Sequence, residues 1–448
     1  MKYIIILLFI VFIIDWENRN KSTYSIMLII FLSSFVANPL ISYGVHIGIS
    51  GVLVWVVFLL RQLKSNNKVV GIISWKMYGV IIGLAVYGLI LGLTNVDNLR
   101  ISLNKESNLV QIVNVTFYLF TIAIFIRISE SSFFNIQRRY LLIKVFVFSV
   151  FFHLITILVI NFGYGSIIPE FLTGSATIME ESDKDLLGVV RNAGLIGDYE
   201  LIVDYSIMVL LFSILLVLHK KNKLIGYCGI ISAIIIGSFS GTRSFFVVLT
   251  LIIILISFFN ILFVRRKLQI IKMIVLFLLL FGILYFFLLK DLVVFQRLLF
   301  AFDLFDSGAG VQQVANRDFS SYLPHFFDIT PFSGYGSMFF HSLYDNSLVS
   351  HNIFLALYVK YGFFGVFPYT LLLLFLLKKL IILVSKLKEG NLKIETILIL
   401  SFFIGLIFQE YKVSAIRYFN TILMYTIYFM FLYSHIRLFE IKINNKKK

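Results

Sequence analysis

The residues best suited to chemistry lie in Ser350-His351-Asn352, which opens an apolar stretch running through Tyr361-Gly362-Phe363-Phe364-Gly365 to Lys378-Lys379. His351 is expected in the first turn of a membrane helix, with Ser347 or Ser350 as its cap, where the positive end of the helix dipole disfavours the imidazolium. A histidine kept neutral near pH 7 accepts a proton, so His351 is the candidate general base, and Asn352 can orient the imidazole or a hydroxyl. A polar loop residue that merely caps a helix fits the local sequence equally well. Three arginines extend the pattern: Arg191 in Arg191-Asn192-Ala193-Gly194, Arg243 in Ser240-Gly241-Thr242-Arg243-Ser244, and Arg317 ahead of Pro331-Phe332-Ser333-Gly334-Tyr335-Gly336. A guanidinium fork suits bidentate contact with phosphate oxygens, and backbone amides around Gly334 and Gly336 could add an anion nest. For each arginine the plainer alternative is an ion pair with Glu180, Asp198 or Asp318.

The elements that must position these residues follow from composition. In 448 residues, 60% are hydrophobic and 14% charged, against roughly 25% charged in ordinary soluble domains. That excludes a globular cytoplasmic protein. Unbroken apolar runs without strand-like alternation select helices over a barrel, so the expectation is an all-α polytopic membrane protein forming a single membrane domain over 1–448. Spans of about 20 apolar residues fall near 24–41, 45–60, 70–93, 109–126, 140–162, 201–218, 224–239, 244–264, 268–289, 352–377, 394–409 and 416–436. With the short first run, Tyr3 to Ile14, the count is ~12 or 13 transmembrane helices. That run lacks a small-residue cleavage site and reads as retained; it either crosses or dips into the interface. Cys228 is the single cysteine, which leaves no intrachain disulfide.

The net charge of +16 does not point to nucleic acid, because most of the excess sits in short loops: Arg61 to Lys68, Arg127 to Lys144, Lys220 to Lys223, Arg265 to Lys267, Lys378 to Lys393, and the tail after Arg437. These fall on alternate connections, so they are expected to be cytoplasmic together with the C-terminus. The opposite connections then face the exterior or periplasm. Two of them, 163–200 and 290–350, are far longer than ordinary helix connections, and long loops tend to carry function. All the candidate residues belong to that face. Asp183-Lys184-Asp185 has a D-x-D pattern but reads as a solvated acidic loop, and His325 and His341 have no helical ligand spacing with His351; no metal and no cofactor are expected. His46, His153, His219 and His435 read as span-end or packing residues. Lys360, ~13 Å along the helix from His351, needs a buried partner, for which Asp204 is one possibility.

The ordered set of Ser240-Gly241-Thr242-Arg243 opening a span, Arg317 before Pro331 and Gly334-Tyr335-Gly336, and Ser350-His351-Asn352 followed by Tyr361-Gly362-Phe363-Phe364-Gly365 resembles the O-antigen polymerase and O-antigen ligase superfamily of bacterial membrane glycosyltransferases. The likeness covers roughly the C-terminal 60% of the chain; Arg191 with Gly194 is a looser match. It implies metal-independent glycosyl transfer at the outer face of the cytoplasmic membrane, with undecaprenyl-diphosphate-linked oligosaccharides as donor and acceptor. In that scheme His351 acts on the acceptor, Arg243 and Arg317 hold the diphosphate, and Arg191 is a further phosphate or sugar contact. Tyr335, like Tyr322, could stack on a sugar face. The expected partners are these lipid-linked sugars, membrane lipids, and the flippase and chain-length regulator of the same route. Two alternatives stand beside a polymerase: a ligase that transfers the finished glycan to lipid A core, and a transporter or flippase of lipid-linked sugars. A transporter should show mid-membrane charges and paired halves with interrupted helices; few charges lie within the spans and no pairing of halves is visible.

Overall fold

The computed structural model describes residues 2–35, 48–64, 75–94, 108–162, 164, 167–168, 194–196, 201–240, 242–264, 353–412 and 419–445. Among them every regular element is helical. In chain order these are α1 (Lys2–Asn18), α2 (Ser22–Leu32), α3 (Ile49–Leu63), α4 (Trp75–Thr94), α5 (Asn108–Phe134), α6 (Ile136–Asn161), a 3-10 turn (Gly194–Ile196), α7 (Leu201–Leu218), α8 (Lys223–Phe239), α9 (Arg243–Phe263), α10 (Ile353–Lys386), α11 (Asn391–Lys412) and α12 (Phe419–Asn445). Six of them contain spans long and apolar enough to cross a membrane: Ile136–Ile160, Leu201–Leu218, Ser244–Phe263, Tyr361–Lys386, Asn391–Glu410 and Ile422–Glu440. The chain is an all-α polytopic membrane protein.

Burial sorts the helices by position. The spans of α7 and α12 are 83% and 78% buried, and that of α10 only 22%. The first two therefore form the middle of the bundle. The exposed side chains of α10, Phe363, Phe364, Phe367, Leu371 and Leu374, are apolar and recur at helical spacing, as a lipid-facing surface requires. Helices approach closely where glycine removes the side chain: a Cβ at Gly226 would meet the Ser213 carbonyl of α7 at 3.0 Å. In lipid such small-residue contacts replace the hydrophobic drive that is missing between helices.

The first apolar run forms α1, which at 17 residues is ~25 Å long, most of a hydrocarbon core. It buries Ile6 and Ile13 and exposes Ile4, Leu7, Leu8, Val11 and Phe12. Several boundaries differ from the sequence reading; the helix expected over 24–41, for one, ends at Leu32. The stretch from Arg127 to Lys144 is helical, not a loop; α5 and α6 are separated only by Asn135, whose side chain accepts the Gln137 N–H at 2.9 Å. Likewise α10 continues nine residues beyond 377, to Lys386. Leaving hydrocarbon obliges the side chains to become polar, but gives the backbone no reason to abandon its hydrogen bonds.

The described members of the basic segments meet at one end of the bundle. Arg61 Nε contacts Glu17 Oε2 at 3.3 Å and its Nη1 donates to the Ile128 carbonyl at 3.1 Å. Lys64 donates to the Glu17 carbonyl, and Lys379 Nζ lies 2.7 Å from Glu440. The described basic residues thus mark one end of the bundle, the basic end; Arg265 to Lys267 lie outside the described residues.

Candidate functional site

At the end away from the basic loops, α8 hands over to α9 through Ser240-Gly241-Thr242-Arg243. Ser240 donates its hydroxyl proton to the Gly237 carbonyl at 2.6 Å, so the Thr242 hydroxyl, 2.7 Å away, donates to Ser240 Oγ, which also accepts the Thr242 N–H at 3.3 Å. This inward bonding occupies Thr242, the residue preceding α9, and its side chain makes no capping bond. The positive end of α9 begins at Arg243 without a side-chain cap. Next to Arg243, Ser244 Oγ accepts Gln409 Nε2 of α11 at 3.3 Å. Gln409 precedes Glu410, and Glu410, Asp204 of α7, Tyr425 of α12 and Tyr369 of α10 form one electrostatically coupled group. Asp204, Gln409, Glu410 and Tyr425 are all buried. Five helices therefore bring polar groups together beneath the start of α9.

The motif Tyr361-Gly362-Phe363-Phe364-Gly365 marks a break within α10. Gly362 has φ 58° and ψ −152°, a combination essentially confined to glycine. Pro368 follows inside the same helix. A Cβ at Gly365 would meet the Leu357 carbonyl at 3.0 Å, so both glycines of the motif are required by the backbone. Between this segment and α4 lies an apolar groove of about 880 Å³, lined by Gly79, Gly83, Tyr87, Phe364, Pro368 and Phe375 among others.

The 3-10 turn is held from below. Gly194 has φ 56°, and the next amide, Leu195 N–H, donates to His153 Nδ1 of α6 at 3.2 Å. His153 Nε2 contacts Ser34 Oγ at 3.0 Å, and Tyr205 and Ser149 hydroxyls are 2.6 Å apart beside it. His153, read from sequence as a packing residue, is wholly buried and organises this corner.

Of the sequence-derived site residues, Arg243 is placed by its backbone as the first residue of α9, and its side chain lies outside the described residues. His351 and Asn352 precede Ile353, the first residue of α10, and lie outside, as do Arg191, Arg317 and Tyr335. Asp183, Asp185, His46, His325, His341 and Tyr322 lie outside as well, and Lys360 is described by its backbone only. The described structure does bring to one end the starts of α9 and α10 and the turn that follows Arg191: α11 ends against Ser244, the segment before Gly362 folds back so that Phe354 lies 5.9 Å from the Tyr369 ring, itself beside Glu410, and Leu195 rests on His153 late in α6.

A second polar cluster occupies the basic end. Glu395 of α11 pairs with Arg139 of α6, lies 2.8 Å from His219 Nε2 just after α7, and accepts the Tyr140 hydroxyl at 3.4 Å. Thr396 donates its hydroxyl to the Leu392 carbonyl at 2.7 Å and so accepts from His435 Nε2 at 3.0 Å. The other His435 nitrogen accepts from Arg139 Nη1 at 3.3 Å. Arg139 also stacks on Phe431, 4.8 Å from its ring centre. The residue types resemble a catalytic set, but the groups are consumed by one another inside the bundle; the cluster is a fastening between α6, α7, α11 and α12.

More charge is buried than the sequence reading allows: Glu17, Glu130, Arg139, Asp204, Glu395 and Glu410 all lie inside. Position along a span does not reveal which face a residue occupies, and charges at helix ends can meet partners from distant spans. Signals for Glu395 were present: it is the first acid of its span, followed after Thr396 by an apolar run, and Arg139 stands at the start of another span. No family model matches the chain, and no curated protein matches it.

Proposed function

We propose that the chain is a membrane glycosyltransferase that polymerises undecaprenyl-diphosphate-linked oligosaccharide repeat units into O-antigen or capsular polysaccharide at the external face of the cytoplasmic membrane. The basic end is cytoplasmic in this reading and the Arg243 end external. The observation that carries it is the convergence, at one end of the bundle, of an uncapped helix start at Arg243, the turn after Arg191 and the beginning of α10 just beyond His351. An uncapped helix terminus led by arginine favours an anion such as a diphosphate. The reaction follows from these groups. The acceptor hydroxyl oxygen attacks the anomeric carbon, His351 takes its proton, and the bond to the diphosphate oxygen breaks. Negative charge grows on the departing lipid diphosphate, which Arg243 and Arg317 stabilise while Arg191 adds a contact. Asn352 orients the imidazole, and Tyr335 stacks on a sugar.

The test is the surface-polysaccharide banding pattern of a strain lacking this protein, complemented with wild type, His351→Ala or Arg243→Ala at matched expression. Loss of a polymerase leaves single repeat units on the final acceptor. Loss of a ligase leaves that acceptor bare while long chains stay on the lipid carrier. If both variants restore the wild-type pattern, the catalytic assignment is wrong.

Two observations favour a second reading, a transporter of lipid-linked sugars: α10 is interrupted at Gly362 and charges are buried in the bundle, both features of carriers. Lipid-linked repeat units trapped in the cytoplasmic leaflet of the deletion strain would favour the carrier over the enzyme.

A further inference from the structure

We propose that the groove between α4 and α10, with Lys378 and Lys379 at its foot, binds an anionic glycerophospholipid from the leaflet at the basic end, an inference independent of the glycosyltransferase reading. The two helices touch at one level and part below it. A Cβ at Gly88 would meet Tyr361 at 2.7 Å, whereas a Cβ at Gly83 or Gly79 would meet nothing within 4 Å. The backbone break at Gly362 and Pro368 in the next turns set α10 on its new course just below the Tyr361 contact. The space so opened is about 880 Å³, and Gly79, Gly83, Phe364, Pro368 and Phe375 are among the residues that line it. Its walls are apolar and it lies along a membrane span, Tyr361–Lys386. An apolar space of this kind does not hold water, so hydrocarbon fills it.

Length and charge identify the lipid. From Phe364 to Phe375 the groove follows α10 for ~16 Å, about half of a ~30 Å hydrocarbon core. That is the depth of one leaflet, which a glycerophospholipid chain fills. The closed end is at Gly88 and Tyr361; the foot is at Gly79 and Phe375. There Lys379 Nζ lies 5.7 Å from the centre of the Phe375 ring and 2.7 Å from Glu440 at the basic end. Lys378 follows Phe375 by three residues and Leu371 by seven, so it continues the groove-lining face of α10. It is exposed and forms no ion pair among the described residues. Hydrocarbon above and an unneutralised cation below match a lipid with an anionic head. A lipid-linked sugar with its diphosphate at the start of α9 would have its head at the opposite end of the bundle.

The full chain is reconstituted in vesicles of phosphatidylglycerol and phosphatidylethanolamine in equal amounts and extracted in mild detergent, and the lipids that stay bound are counted by native mass spectrometry. Wild type should retain phosphatidylglycerol in preference to phosphatidylethanolamine. Lys378→Gln removes only the charge and should reduce that preference about fivefold, the worth of one lysine at an anionic leaflet surface. The double variant Gly79→Leu with Gly83→Leu grows side chains into open space, so the helices need not move. It should reduce retention of both lipids about tenfold, as overpacking would. Val86→Leu, on an exposed part of α4 outside the groove, should match wild type. If the double variant does not fold, Lys378→Gln decides alone. An unchanged preference in Lys378→Gln overturns the inference, and so does full retention with the groove filled. Protein extracted directly from cell membranes gives the last arm: a polyisoprenyl phosphate bound in place of the glycerophospholipid, and lost on filling the groove, would also overturn it.

Discussion

Replacing Glu395 by glutamine tests whether the buried cluster fastens the bundle. The side chain keeps its shape and one acceptor oxygen, but the charge is gone and an NH2 group now faces donors from Arg139, His219 or Tyr140. Arg139 is 1% exposed and cannot turn to water. Removing one partner of a buried pair costs about 3–5 kcal/mol, because the remaining charge is left uncompensated. Here His435 still accepts one Arg139 N–H at 3.3 Å, and Phe431 still receives the guanidinium on its face, so the lower end, about 3 kcal/mol, is expected. Denaturant unfolding of the purified protein in mixed micelles measures it. The double variant Arg139→Met with Glu395→Gln should recover much of the loss, because no charge is then stranded, giving a coupling of about 2 kcal/mol. A loss below about 0.5 kcal/mol in Glu395→Gln, or a double variant as unstable as the sum of the singles, would refute the fastening argument.

Two further outcomes follow from backbone geometry. Gly362→Ala forces a side chain into a conformation that only glycine adopts freely, and should cost about 1–3 kcal/mol and abolish complementation, seen by unfolding and by the polysaccharide pattern. Gly229→Val places its Cβ against Val147, 2.6 Å away, and should lose about 1–3 kcal/mol through overpacking between α6, α7 and α8; unchanged stability would mean that the helices can part at no cost.

The helical class and the gathering of the described basic residues at one end were legible in the residues in order; of the ~12 or 13 spans read there, six are helices long and apolar enough to cross among the described residues, and 268–289 lies outside them. The reason is local: in lipid each span must satisfy its own backbone hydrogen bonds, so length and hydropathy define it without reference to neighbours. The glycines at 194 and 362 were visible as motif members, although their conformations were not. What only the tertiary structure decided is pairing. Arg139 reads as a loop cation, yet it is buried against Glu395, 256 residues away, and His153 reads as packing until the Leu195 amide descends on it. Asp204, Glu410 and Tyr425 come from three helices and acquire meaning only when those helices meet under Arg243. A charge or an imidazole within a span is an unfinished statement in sequence, because its cost depends on the partner that another span supplies.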